Sequence, residues 1–256
     1  MSLIHAIILG IIEGLTEFLP ISSTAHLILV SQLLNIPQTD FQKFFEVFIQ
    51  SGAILAVFFI YLKYVLKNKK IIPKVITSFV PTAVIGFLFY KIIKHVFFNS
   101  RLLMVFSFFI LGVVFLVIEY LIKNKKIKLT QSIDRLSYQT AIIVGFMQAL
   151  AVIPGVSRAG IVLVTMMILG FKREESARYS FLLAVPTILA ASGYDLYKSK
   201  DLLVFSSNNL FLLMIGFVVS FISAYVVVNW FIKYLQKNTL NLFAIYRIIL
   251  AGILFV

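Results

Sequence analysis

Read from its N-terminus, the chain alternates apolar runs with short polar breaks, and the runs come in two sizes. Short pieces at 3–17 and 21–34 are followed by longer runs at 44–66, 75–97 and 102–122. After a Lys-rich segment from Lys123 to Arg135 the pattern resumes, with short pieces at 138–152 and 157–170 and runs at 175–197, 209–235 and 240–256. Stretches such as Leu102 to Ile122 and Leu210 to Ile232 reach or approach the roughly 20 residues a helix needs to cross about 30 Å of hydrocarbon. The short pieces do not. The pattern predicts an all-α integral membrane protein with six long spans and two broken-helix pairs of short pieces, 3–34 and 138–170.

The order of short and long elements occurs twice, which divides the chain into a first repeat at 1–122, a basic linker at 123–137 and a second repeat at 138–256. A unit with an odd number of crossings followed by its own copy lies inverted in the membrane, an arrangement that places a site at the midplane where broken helices meet. Local sequence agrees in part. The string from Glu13 to Ser23, EGLTEFLPISS, reads against QALAVIPGVS from Gln148 to Ser157, with a one-residue slip between the acid or amide and the proline.

Composition makes lipid the solvent. Hydrophobic residues are 61% and charged residues 13% of the 256, against about 45–50% and 25% in soluble domains. The net charge of +13 does not describe a nucleic-acid binder, because the lysines form short runs beside apolar segments rather than a basic face of a known module. They cluster at Lys63 to Lys74, Lys123 to Arg135, Lys172 to Arg178 and Lys233 to Lys237, which the positive-inside rule puts in the cytoplasm. The loops at Asn35 to Asp40 and Lys198 to Asn209 and both termini then fall outside, while Lys91, Lys94 and Arg101 run against the rule. Cysteine is absent, which removes disulfides and thiol chemistry. Met1 to His5 lacks a basic n-region and cleavage site, so this start is expected in the mature protein.

The polar residues that remain inside apolar pieces are the candidates for chemistry. Glu13 and Glu17 stand four residues apart on one helical face, and a central acidic residue costs about 2.5–3.5 kcal/mol on insertion scales, so such groups face a cavity or a partner. Pro20 breaks the helix, and Ser22, Ser23 and Thr24 suit the start of a new one, whose free amides form an anion site. His26 follows three residues after Ser23. In the second half Pro154 and Gly155 make the break, and Ser157 with Arg158 opens the next helix, the guanidinium suited to gripping phosphate oxygens bidentately.

EGLTEFLPISSTAH (Glu13 to His26) and PGVSRAG (Pro154 to Gly160) resemble the two signature motifs of the undecaprenyl pyrophosphate phosphatase family, the bacitracin-resistance type of membrane phosphatase. FEVFIQSGAILAV, PTAVIG, EESARYSFLLAVPTI and FAIYRIILAGIL extend the resemblance over nearly the whole chain. It implies hydrolysis of undecaprenyl (polyprenyl) diphosphate to the monophosphate and inorganic phosphate, recycling the lipid carrier of cell-wall synthesis. It further implies a multi-pass protein of the bacterial cytoplasmic membrane, an inverted repeat with six transmembrane helices in which the pairs 3–34 and 138–170 are re-entrant, with its site reached from the outer side and a divalent cation supporting activity. On that reading Ser23, His26, Glu17 and Arg158 are catalytic, Ser22, Thr24, Ser157, Arg158 and Gly155 bind phosphate, and Glu13 with Glu17 holds Mg²⁺ or Ca²⁺. Ser23 activated by His26 and water activated by His26 or a Glu are both open as the nucleophile. The partners are the diphosphate lipid and membrane lipids, with a homodimer allowed. A polyprenyl phosphate flippase using the same head-group site is the rival, since broken-helix repeats are also a transporter architecture.

The chain departs from the family pattern at Ala159 and Val162, where hydroxyls are usual, so a hydroxyl role there is either absent or shifted to Thr165. Glu46 and Gln50 are expected to be structural, Arg178 to pair with Glu174 or Glu175, and Arg247 to snorkel or meet a buried acid. His5, His95 and Glu119 are expected at the interface, with Trp230 as an anchor.

Overall fold

The computed structural model describes residues 1–92, 101–198 and 207–255. Within them the chain folds into ten α-helices, and the short pieces and long runs of the sequence reappear as separate elements. The first half gives α1 (Leu3–Thr16), α2 (Ser23–Leu33), α3 (Asp40–Lys67), α4 (Ile71–Ile92) and α5 (Arg101–Lys123). The second gives α6 (Tyr138–Ala149), α7 (Arg158–Ile168), α8 (Arg173–Lys198), α9 (Ser207–Lys237) and α10 (Asn241–Phe255). Lys94, His95 and most of the 198–209 loop lie outside the described residues.

Among the described residues, four helices are long and apolar enough to cross a membrane: Asp40–Lys67, Ile71–Phe89, Arg101–Lys123 and Asn208–Lys237. Of the other two expected crossings, α8 has 26 residues but a polar composition, and α10 has only 15. Large apolar side chains such as Phe87, Leu88 and Ile253 face outward, as expected where the surroundings are as apolar as the interior.

The two broken-helix pairs, α1–α2 and α6–α7, agree residue by residue with an offset of 135, while the long helices that follow them drift from it. Ser2 caps α1 and Ser137 caps α6, each through its hydroxyl on the amide three residues on. Ala6 and Ala141 are both fully buried. Gly10 and Gly145 mark close helix crossings, where an added Cβ would lie 2.8 Å from the Gly216 carbonyl and 2.3 Å from that of Ser78. Glu13 matches Gln148, and Ser22 matches Ser157, both with positive φ. The one-residue slip vanishes, because Pro20 corresponds to Gly155 and Pro154 falls at the place of Leu19.

Helix packing follows the same exchange. α1 packs on α9 as α6 packs on α4; α3 lies against α9 as α8 lies against α4; α3 pairs with α8, and α5 with α10. The short pairs α1–α2 and α6–α7 are thereby held against long helices of the opposite half, which brings the two breaks face to face.

Candidate active site

Each break is a place where the backbone is forced out of helix and then restarted. Pro20 lacks an amide hydrogen and cannot continue α1; beyond it Ser22 adopts φ 70° and α2 begins at Ser23. In the second half α6 tightens into a single 3₁₀ turn at Leu150–Val152, and Ser157 adopts φ 36° before α7. Positive φ in a non-glycine residue costs about 1–3 kcal/mol and gathers at ligand sites, where the surroundings enforce it. Gly155, at φ 90°, is obligatory for a second reason, since a Cβ there would lie 2.7 Å from the Met104 carbonyl.

Between the breaks is a cavity of about 160 Å³. Its polar wall is Glu17, Ser22, Ser23 and Thr24 from the first break, Gly155, Ser157 and Arg158 from the second, and Gln50 of α3. Glu17 is the hub. Its Oε1 accepts from Arg158 Nη2 at 2.7 Å, joining the two halves, and its Oε2 accepts from the Ser23 hydroxyl in a short hydrogen bond. Arg158 Nη1 is buried and has no hydrogen-bond partner. The Ser22 hydroxyl caps none of the first α2 amides, whereas Ser157 Oγ accepts from Gly160 N at 3.1 Å and caps α7. The cavity is thus lined by donors on two helix starts with one guanidinium nitrogen unanswered, an arrangement suited to an anion.

His26 stands differently from its sequence expectation. Spacing puts it beside Ser23, yet its Nδ1 donates to the Ser22 carbonyl at 2.7 Å and its Nε2 meets the Tyr246 hydroxyl at 2.6 Å. A carbonyl can only accept, so Nδ1 carries a proton, and Nε2 shares its hydrogen bond with the Tyr246 hydroxyl, which can donate or accept. The Ser23 hydroxyl donates to Glu17 rather than to His26. Glu13 is fully buried, no hydrogen bond of ordinary geometry reaches its carboxyl oxygens, and the Glu17 carboxyl is its neighbour one turn away. Its counterpart Gln148 donates to Thr82 Oγ1 at 2.9 Å and Thr187 Oγ1 at 3.2 Å.

Thr165 does not replace the missing hydroxyls. Its Oγ1 donates to the Ile161 carbonyl of its own helix at 2.7 Å, and Ala159 and Val162 are buried apolar contacts. Glu46 is structural, accepting from Ser31 at 3.0 Å and Gln42 at 2.9 Å, but Gln50 lines the cavity rather than the scaffold alone. Arg178 pairs with Glu175 at 2.9 Å. Glu119 is buried in the protein, where it forms an ion pair with Arg173 and accepts from Leu240 N at 2.9 Å.

Arg247 corrects its sequence reading most. It neither snorkels nor meets an acid; it is fully buried and donates to the carbonyls of Pro20, Ser107, Phe108 and Gly155 at 2.6–3.4 Å. Tyr246 and Arg247, which sequence reasoning did not place at the breaks, both reach them, Tyr246 through His26 and Arg247 through the Pro20 and Gly155 carbonyls. The available signal was a guanidinium in the middle of FAIYRIILAGIL, a run without any acidic residue to pair with it.

With this geometry in place, comparison with known proteins is informative. The family described as bacitracin resistance protein BacA matches residues 6–253. The undecaprenyl-diphosphatase of Wolinella succinogenes is 49% identical over 255 residues, covering 100% of this chain and 97% of the relative. That of Sulfurihydrogenibium sp. is 46% identical over 255 residues (100% and 98%), and that of Aquifex aeolicus is 42% identical over 246 residues (96% and 94%). A match of this length, reaching from α1 through α10 and including both breaks, assigns the chain to the bacitracin resistance protein BacA family.

Proposed function

We propose that the chain is an undecaprenyl-diphosphatase, hydrolysing the terminal phosphoanhydride of a polyprenyl diphosphate and leaving the monophosphate in the membrane. The relatives carry that activity in their names. The single observation that carries the reading is the unpartnered, buried Arg158 Nη1 beside a serine already bonded to a carboxylate. A transporter needs a head-group grip but has no use for the Ser23–Glu17 pair.

Phosphoryl transfer depends chiefly on positioning and charge neutralisation. Arg158 and the amides at the starts of α2 and α7 hold the terminal phosphate oxygens, with Ser22, Thr24, Ser157 and Gly155 shaping the seat. Ser23 Oγ attacks the terminal phosphorus while its proton passes to Glu17 Oε2. The anhydride P–O bond breaks, and the lipid monophosphate leaves with the electron pair. Water, deprotonated by a Glu17 that has released its proton, then attacks the phosphoserine, and inorganic phosphate departs as Ser23 regains a proton. His26, bound to the Ser22 carbonyl, orients the strained turn from which Ser23 projects.

The expected cation fits this set. Glu13 offers two buried carboxyl oxygens that no hydrogen bond of ordinary geometry reaches, one turn from Glu17, and Mg²⁺ is commonly held by one or two carboxylates together with substrate phosphates. No group of three or more acidic or His side chains occurs among the described residues, so two protein carboxylates are the whole offer. When bound, the cation would offset carboxylate charge facing the diphosphate and polarise the phosphoryl group.

The topology that suits this chemistry has six crossings, α3, α4, α5, α8, α9 and α10, and two re-entrant pairs in an inverted repeat. The 135-residue offset between the two broken-helix pairs and the exchanged helix packing support it. Basic loops place Lys63 to Lys74 and Lys123 to Arg135 in the cytoplasm, with the cavity served from the outer side of the bacterial cytoplasmic membrane. Detergent-purified protein should release phosphate from a polyprenyl diphosphate with loss in Arg158→Ala and on chelation. Folded protein that releases none under any cation would overturn the enzyme in favour of a flippase.

A further inference from the structure

The carbonyls of Pro20 and Gly155 hold the same place in the two halves, each three residues before a key group of the site, Ser23 in one case and Arg158 in the other. One side chain binds both. Arg247 Nη1 donates to Pro20 O at 3.1 Å and Nη2 donates to Gly155 O at 2.6 Å. From α5 the Ser107 and Phe108 carbonyls take further bonds, and the Phe108 ring lies 4.7 Å from the guanidinium carbon. The guanidinium is a planar fork whose two ends are equivalent, so it matches two repeat-related acceptors facing one another. An ammonium is a point charge without that geometry.

We propose that Arg247 is a positioning residue that straps the two helix breaks together and so sets the separation between the Ser23–Glu17 pair and the Arg158 phosphate grip. It does not line the cavity, and its charge is answered by carbonyl dipoles rather than by an acid. Its effect on turnover passes through the backbone. A misplacement of about 1 Å can lower turnover roughly 100-fold, while an Arg158 grip that remains intact keeps substrate binding. The inference rests on the phosphatase reading above.

The test combines kinetics with distance. In this cysteine-free chain, Leu33→Cys and Ile168→Cys place spin labels at exposed, repeat-equivalent positions near the ends of α2 and α7. Measurements are made on that pair with Arg247 present, with Arg247→Lys and with Arg247→Gln. The expected result is a fall in kcat of about 100-fold for Arg247→Lys with KM within about 3-fold, and a label distance distribution that shifts or broadens. Retained kcat, a raised KM at constant kcat, or lost turnover with unchanged label distances would each overturn the proposal. So would failure of both variants to fold, which would assign Arg247 to global stability. A parent protein that releases no phosphate would sink the phosphatase reading alone, because the label distances report the strap whatever the substrate.

Discussion

A serine hydroxyl is a weak nucleophile until a neighbouring base takes its proton, and Ser23 already donates its hydrogen to Glu17. The same carboxylate bonds Arg158, so base and phosphate grip are oriented by one side chain. Glu17→Gln is expected to lower kcat by about 10²–10⁴-fold, the usual worth of a positioned base. The steady-state rate on protein of unchanged folded fraction checks it, and a loss below about 3-fold would remove Glu17 from that role. Arg158→Lys keeps a charge but loses the fork; a drop of about 10²-fold or more is expected, by analogy with removal of one charge-stabilising donor. His26→Asn should be milder, since in the structure His26 supports the Ser22 turn and does not reach Ser23. Equal losses in His26→Asn and Glu17→Gln would reinstate His26 as the base. The sequence identified Glu17, Ser23, His26 and Arg158 as one constellation, because intramembrane polar residues stand out against 61% apolar composition. It could not apportion their bonds. Positions three apart on a helix are near in angle, but whether an imidazole turns to its own helix or to a neighbour depends on what that neighbour offers, here Tyr246 from 220 residues away.

At the scale of elements, the breaks are stiff rather than loose. Gly155→Ala would place a Cβ against Met104 O at a φ of 90°, which is expected to destabilise the fold by about 1–3 kcal/mol; a thermal midpoint unchanged from wild type would contradict the tightness of this turn. Gly145→Ala tests the crossing of α6 with α4, since its Cβ would meet the Ser78 carbonyl at 2.3 Å. A lowered midpoint is expected there too. Limits of the short helices were readable to within about three residues, because prolines, glycines and hydroxyl caps interrupt the apolar pattern, whereas α3 and α4 begin about four residues before their apolar runs. α8 was readable despite its polar composition, as its start is marked by Arg173, Glu174 and Glu175. The environments of Glu119 and Arg247 were not readable. Both lie in apolar runs where lipid and protein interior are indistinguishable by composition, and their partners, Arg173 and the two break carbonyls, come from other elements.

For the whole molecule, the repeat turns two incomplete halves into one site. The first half carries Glu13, Glu17, Ser23 and His26; the second carries Arg158 and the capped start of α7. The duplication was legible as an order of short and long runs, while its exact register required the paired positive-φ serines, because Pro20 and Pro154 are a misleading match in sequence. An inverted arrangement expects single cysteines introduced at Lys69 and Lys125, in the basic loops, to react with a membrane-impermeant thiol reagent only from the cytoplasmic side. A cysteine replacing Gln38, in the loop between α2 and α3, should react from the outside; labelling of all three from one side would contradict the topology.

The most direct measurement of the central claim is phosphate release from a polyprenyl diphosphate by the purified protein, with wild type, Glu13→Gln and Arg158→Ala run side by side with and without chelator. The account predicts one phosphate released per lipid by wild type with cation present, release below about 1% of that rate in Arg158→Ala, and strong reduction by chelator or by Glu13→Gln. Undiminished release from folded Arg158→Ala would contradict it.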